Sequence, residues 1–245
     1  MITIHNNERI DYLPNRSLQI IQADDVFSFS IDAVLLAKFV YVPIQKGKII
    51  DLCTGNGVIP LMISTRSKAE ITGVELQERL YDMAVRSCKI NELVDKIKYI
   101  HADINELPKE ILGQQYDVVT CNPPYFEKKE LSDRNVNPHF QIARHEIYCT
   151  LEDVIRTCAK LVRQKGKVAL VHRPERLTDI FENMRKFRIE PKRIQFVQPK
   201  ADKEANIVLI EGIKDGKPGV KCLPSVVIYE DEKTYTKEFQ AIYYG

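Results

Sequence analysis

The chain has six cysteines, Cys53, Cys88, Cys121, Cys149, Cys158 and Cys222, yet no two stand in a C-x-x-C pair. A zinc site or a dithiol redox site therefore has no support. Thiols scattered through apolar runs suit a reducing compartment. No apolar run approaches the roughly 20 residues that a membrane-spanning helix needs, and no basic-then-apolar segment opens the chain as a secretory signal would. The expectation is a cytoplasmic protein with no membrane partner and no metal. There is also no low-complexity linker and no internal repeat. With 44% apolar and 29% charged residues over 245 positions, the chain can bury a core without staples and reads as one domain, 1–245.

What is present is alternation. Short β-branched runs at 48–52, 70–75, 97–102, 116–121, 167–172, 193–198 and 206–212 read as strands. Their apolar residues are nearly continuous, as in strands covered on both faces. Between them, helical patterns cover 32–41 (entered from Ser30), 58–66 and 77–91. Thr150 stands as an N-cap with Asp153 three residues on, and Gly166 marks the expected end of that helix. Pro174 opens another, running to Phe187. This order specifies an α/β fold, a doubly wound, mostly parallel sheet with helices on both faces. The last two strands have no helix between them and are expected to form an antiparallel hairpin at one edge of a seven-stranded sheet. Residues 46–213 make the core and 1–45 an N-terminal extension. Residues 214–245 form a tail packed on the core, read as a strand plus a short helix.

Three carboxylates fall at the ends of successive strands. The first strand runs into Asp51-Leu52-Cys53-Thr54-Gly55-Asn56-Gly57-Val58. Glycines there let the backbone turn tightly and approach a ligand, and the following helix turns its free N–H groups towards it. Asp51 is suited to ordering a water or accepting from the ammonium of an amino-acid-like cofactor. Thr54, Gly55, Asn56 and Gly57 form the candidate cradle. Val58, Ile59 and Pro60 break the G-x-G-x-x-G pattern of a dinucleotide site, which disfavours NAD. Glu75, followed by Leu76, ends the second strand, where a carboxylate accepts both hydroxyls of a ribose. The plainer alternative is an acidic residue opening the next helix. Asp103 follows the third strand and suits the amino group of an adenine, or else caps a helix. Ligands of open α/β sheets bind at this edge.

The fourth strand runs into Asn122-Pro123-Pro124-Tyr125. Two prolines stop the strand, remove two N–H donors and leave carbonyl oxygens free. Asn122 adds a side-chain amide that both accepts and donates. The exocyclic nitrogen of adenine is a poor nucleophile, because its lone pair is delocalised into the ring. If the Asn122 oxygen and the Pro123 carbonyl accept its two N–H groups, the lone pair aims at an electrophile and the developing positive charge is stabilised. Tyr125 offers a face on which an extruded base can stack. The alternative is a rigid turn with no chemistry.

Charge is uneven. Residues 128–203 hold 18 Lys and Arg against 10 Asp and Glu, whereas 1–127 hold 13 against 17. A basic block directly after the tetrapeptide is where a polyanion would dock. Lys128, Lys129 and Arg144 are the first candidates for phosphate contacts, and Lys200 and Lys203 the next. Ordinary surface charge is the alternative for each one alone.

With these motifs in register, the chain resembles, over 27–212, the N6-adenine and glutamine-amide branch of class I methyltransferases. That resemblance implies a Rossmann-like sheet, S-adenosyl-L-methionine as cofactor and Asn122–Tyr125 as the catalytic motif. Phe27-Ser28-Phe29-Ser30-Ile31-Asp32-Ala33-Val34-Leu35-Leu36-Ala37 is similar to the element that closes over the cofactor. In it Asp32 would help to hold the methionine end, while Phe29, Leu35 and Leu36 suit the core. Within the branch, the chain most resembles the family that methylates adenine 37 in the anticodon loop of a valine tRNA. The closing segment directly precedes the glycine loop, no large recognition domain is present, and Gln141-Ile142-Ala143-Arg144-His145-Glu146 follows the motif. This implies tRNA as partner, with a monomer favoured. The rivals are a release-factor-type glutamine N5-methyltransferase, which carries a helical N-terminal domain, and a guanine N2 rRNA methyltransferase, in which Phe more often closes the tetrapeptide. A DNA methyltransferase needs a recognition domain, and a non-catalytic RNA-binding module has no need of an intact tetrapeptide.

Overall fold

The computed structural model describes every residue except 1, 15–16, 27–28 and 126–148. Two strands that the sequence did not announce come first. β1 (Glu8–Tyr12) and β2 (Gln19–Ala23) pair antiparallel as a separate two-stranded sheet. β1 is polar and largely exposed, so it carries no core-facing alternation. Side chains far along the chain hold the hairpin. Arg86 donates to Glu8 at 2.6 and 2.7 Å, and the Ile21 amide donates to Ser87 Oγ at 2.9 Å.

The seven expected strands all form. They are β3 (Lys48–Leu52), β4 (Glu70–Glu75), β5 (Ile97–His101), β6 (Tyr116–Cys121), β7 (Val162–His172), β8 (Ile189–Gln198) and β9 (Ile207–Lys214). The helices are α1 (Ile31–Phe39), α2 (Val58–Ser64), α3 (Glu78–Ile90), α4 (Lys109–Leu112), α5 (Leu151–Leu161) and α6 (Leu177–Lys186). A 3-10 turn at Pro174–Arg176 leads into α6, and Thr150 and Asp153 cap α5 reciprocally.

Alternate strand residues feed two cores. Ile49, Val118, Val171 and Leu209 pack with α1 and α2 on one face, while Ile50, Val119, Leu170 and Ile210 pack with α5 and α6 on the other.

Two expectations need correction. The helix after Thr150 stops at Leu161, not at Gly166, and the chain enters β7 at once. Gly166 instead lies within β7, beside the shift in β6–β7 register between Tyr116 and Val118. A Cβ there would meet Val162 Cγ2 at 2.7 Å and the Arg163 carbonyl at 2.9 Å, so glycine allows the bulge. The β8–β9 hairpin is antiparallel as expected but is not the edge. β10 (Lys221–Cys222) and β11 (Val226–Val227) add parallel to β8, giving a nine-stranded sheet of order β10-β8-β9-β7-β6-β3-β4-β5. The tail ends in α7 (Lys237–Tyr244), whose Phe239 is buried in the core.

The chain runs outward from β3 through β4 to β5, then returns to β6 on the other side of β3. That reversal opens a crevice at the carboxyl ends of β3 and β6.

Candidate active site

A cavity of about 500 Å³ occupies this crevice. The end of β3 supplies Cys53, Thr54, Gly55 and Asn56. The end of β4 supplies Glu75, Leu76 and Gln77, and Asp103 and Ile104 follow β5. Asn122, Pro123, Pro124 and Tyr125 follow β6. Phe29, Ser30, Asp32 and Ala33 close it from the start of α1. Five separate segments singled out by their sequence thus line one cavity. No helix among the described residues is long and apolar enough to cross a membrane.

The glycine loop is shaped from beneath. Asp51 is fully buried and lies behind the cavity wall rather than on it. Its oxygens accept from Thr54 Oγ1 and Thr120 Oγ1, both at 2.6 Å. Asp51 does not line the cavity, and its bonds to the two threonines set the loop from behind. The Thr54 amide donates to the Val74 carbonyl at 2.9 Å, tying the loop to β4. Gly57 also stands back from the wall. At φ +90°, its missing Cβ leaves room for the Tyr99 hydroxyl. Gly55, at φ +59°, has open space where a Cβ would stand. The Asn56 side-chain amide donates to the Ile21 carbonyl at 3.0 Å, fastening the hairpin to the loop.

Burial pushes the Asp51 carboxyl up to about 7, against the pull of the two threonine hydrogen bonds. The unfolded value is about 3.9. Between these two values only the folded state keeps the proton. Stability from this group is therefore complete below about pH 4 and is lost as pH rises through about 7. Asp51→Asn is expected to flatten that decline in melting temperature between pH 5 and 8. A variant that kept the wild-type slope would refute the assignment.

Glu75 is buried on the opposite side of the loop. Its Oε2 accepts from the Gly55 amide at 2.8 Å and its Oε1 from the Gln77 amide at 2.9 Å. Burial raises its pKa, opposed by these backbone N–H groups. Each carboxylate oxygen has a second lone pair to offer. Asp103 lines the cavity, and its Oδ1 accepts from the Asn105 amide at 2.8 Å within a turn; it caps no helix, since the next one, α4, starts at Lys109 after Pro108.

At the other end, the Tyr125 hydroxyl lies 2.5 Å from Asn122 Oδ1 and 2.8 Å from Asp32 Oδ2. One phenol proton serves one acceptor at a time. Asp32 therefore meets the tetrapeptide as well as the cavity. Two residues here escaped the sequence reading, and both sit at the end of β7. His172 packs its ring 5.0 Å from that of Tyr125, and the Arg173 guanidinium lies 5.6 Å from the same ring centre. The edge rule that selected Glu75 and Asp103 would have found them, had it been applied to this strand too. Lys200 and Lys203 lie off the cavity, in the β8–β9 turn. Lys128, Lys129, Arg144 and the rest of 141–146 lie outside the described residues. None of the six cysteines is in a disulfide.

The chain is similar to known methyltransferases. Residues 17–136 match the family model of the methyltransferase small domain. The chain is 29% identical over 198 residues to a tRNA1(Val) (adenine(37)-N6)-methyltransferase of Parabacteroides distasonis, covering 80% of each. It is 28% identical over 211 residues to one of the same name from Trichodesmium erythraeum, covering 85% of each. Among solved structures, a predicted O-methyltransferase from Agrobacterium tumefaciens aligns with a TM-score of 0.69 at 22% identity, over 86% of this chain and 95% of that one. A class I S-adenosylmethionine-dependent methyltransferase fold from Listeria monocytogenes aligns at 0.57 and 14% identity, over 89% and 73%.

Proposed function

Because this chain is an S-adenosylmethionine-dependent methyltransferase of the class I fold, we propose that it methylates the exocyclic N6 of an adenine in tRNA, with adenine 37 of a valine tRNA as the target. The observation that carries this reading is the convergence of Asn122-Pro123-Pro124-Tyr125 with the Gly55 loop and Glu75 on one cavity. The names of the relatives supply the substrate class. The natural setting of such an enzyme is the cytoplasm.

The residues present fit the cofactor. The open space at Gly55 admits a ligand against the backbone, and the three carboxylates that line the cavity, Asp32, Glu75 and Asp103, suit a cationic nucleoside. Bound there, S-adenosylmethionine supplies a methyl group on a positively charged sulfur. Glu75 would take the ribose hydroxyls on its remaining lone pairs. Asp103, beside Leu76 and Ile104, would hold the adenine end, with Thr54 and Asp32 nearer the amino-acid end. The target base enters at the tetrapeptide. Asn122 Oδ1 and the Pro123 carbonyl accept its two N–H groups, which points the nitrogen lone pair and stabilises the charge that develops on it.

Incubation with labelled cofactor and total tRNA, followed by nucleoside mass spectrometry, tests the proposal. N6-methyladenosine from the valine anticodon loop is the expected product. Label confined to protein glutamine, or to guanine N2, would overturn it.

The Tyr125 hydroxyl competes with the substrate amine for the Asn122 oxygen, but it has Asp32 to fall back on. Tyr125→Phe is therefore expected to keep at least wild-type turnover. Tyr125→Ala removes the stacking face, worth about 1–3 kcal/mol per base, and should lower kcat/KM roughly 5- to 150-fold. Equal losses in the two variants would show that the hydroxyl, not the ring, matters.

A further inference from the structure

Arg173 is the one lysine or arginine among the described residues that line the cavity. Its hydrogen-bond partners among the described residues are neutral, although Asp32, at the Tyr125 hydroxyl, lines the same cavity. Its guanidinium donates to the Asn206 carbonyl at 2.9 Å, and its backbone amide donates to His172 Nδ1 at 2.8 Å. No ion pair among the described residues includes it. His172, 1% exposed, is kept neutral by burial, which lowers its pKa to about 4, so the ring supplies no second cation. A guanidinium in a confined cavity calls for an anion.

Sheet order says which anion. The ends of β3, β4 and β5 carry the glycine loop, Glu75 and Asp103. Arg173 leaves β7, beyond the tetrapeptide of β6, on the far side from them. Through Asn206 it also adjoins the β8–β9 turn that holds Lys200 and Lys203. With the glycine loop, Glu75 and Asp103 on the other side of β6, this side is the one left for the sugar-phosphate backbone of a strand whose base is drawn into the Asn122–Pro123 corner. A planar guanidinium matches two phosphate oxygens at once.

We propose that Arg173 grips one of the two phosphates that flank the flipped target nucleotide, and so positions the base against Asn122. This rests on the tRNA reading above.

The test pairs Arg173→Ala with substrate RNAs carrying a neutral methylphosphonate at either flanking position. In the wild type, one neutral linkage is expected to lower kcat/KM roughly 10- to 100-fold, the scale of a lost charge-assisted contact. Arg173→Ala should lose the same factor on normal RNA and nothing more on that modified RNA. The slope of log affinity against log salt should drop by about 1. Cofactor affinity should stay unchanged, and Arg173→Lys, which keeps the charge and the stem, should fall between. Normal turnover in Arg173→Ala would overturn the proposal. So would losses that multiply at both linkages, or a matching loss of cofactor affinity, which would place the cofactor carboxylate on Arg173. If the wild type forms no N6-methyladenosine on any RNA, the tRNA reading falls and takes this inference with it.

Discussion

Asn122→Ala is expected to lower kcat by about 100-fold or more while leaving cofactor affinity intact. The magnitude follows from removing one preorganised partner of a charge that develops in the transition state, which costs about 10²–10³ in rate. The side chain stands at the tetrapeptide end of the cavity, 2.5 Å from the Tyr125 hydroxyl. The glycine loop and Glu75 reach the same cavity from β3 and β4. Truncation leaves the main chain of the turn in place, because Cys121 is paired within β6 and two prolines follow. Binding and chemistry should therefore separate. Single-turnover rates at saturating cofactor measure the second, and calorimetry measures the first. Near-normal turnover in the alanine variant would remove Asn122 from the reaction.

Glu75→Ala should show the opposite pattern, with cofactor affinity falling on the order of 100-fold or more. Two hydrogen bonds from ribose hydroxyls to a charged group are worth about 1.5–3 kcal/mol each. The structure adds a second loss. The same carboxylate receives the amides of Gly55 and Gln77, so truncation leaves two N–H groups unsatisfied in a buried place, at about 1–3 kcal/mol each. The melting temperature should drop as well. Glu75→Gln keeps one acceptor oxygen but faces an N–H with an NH2, so it should fall between. An unchanged dissociation constant for Glu75→Ala, measured by calorimetry on folded protein, would defeat the ribose role.

The sequence alone determined the seven central strands, most of the helices between them and the edge at which they converge. Apolar runs wide enough to be covered on both faces mark strands whatever their neighbours, and a Thr150–Asp153 pair caps a helix through contacts only three residues apart. Glycines and prolines impose their backbone limits locally, so the loop at 54–57 and the corner at 122–125 are legible in the sequence. Partner choice is not. Asp51 bonds Thr120, 69 positions on, and Tyr125 reaches Asp32, 93 positions back. Neither spacing leaves a periodic trace. The polar β1 hairpin, the bulge at Gly166 and the approach of Arg173 to Tyr125 likewise exist only once distant strands are registered side by side. Side-chain direction at a site is settled by whichever long-range partner satisfies a buried polar group. That is why the folded chain alone could place Asp51 behind the cavity wall, tie the Asn56 amide to the hairpin and bring Arg173 to the wall.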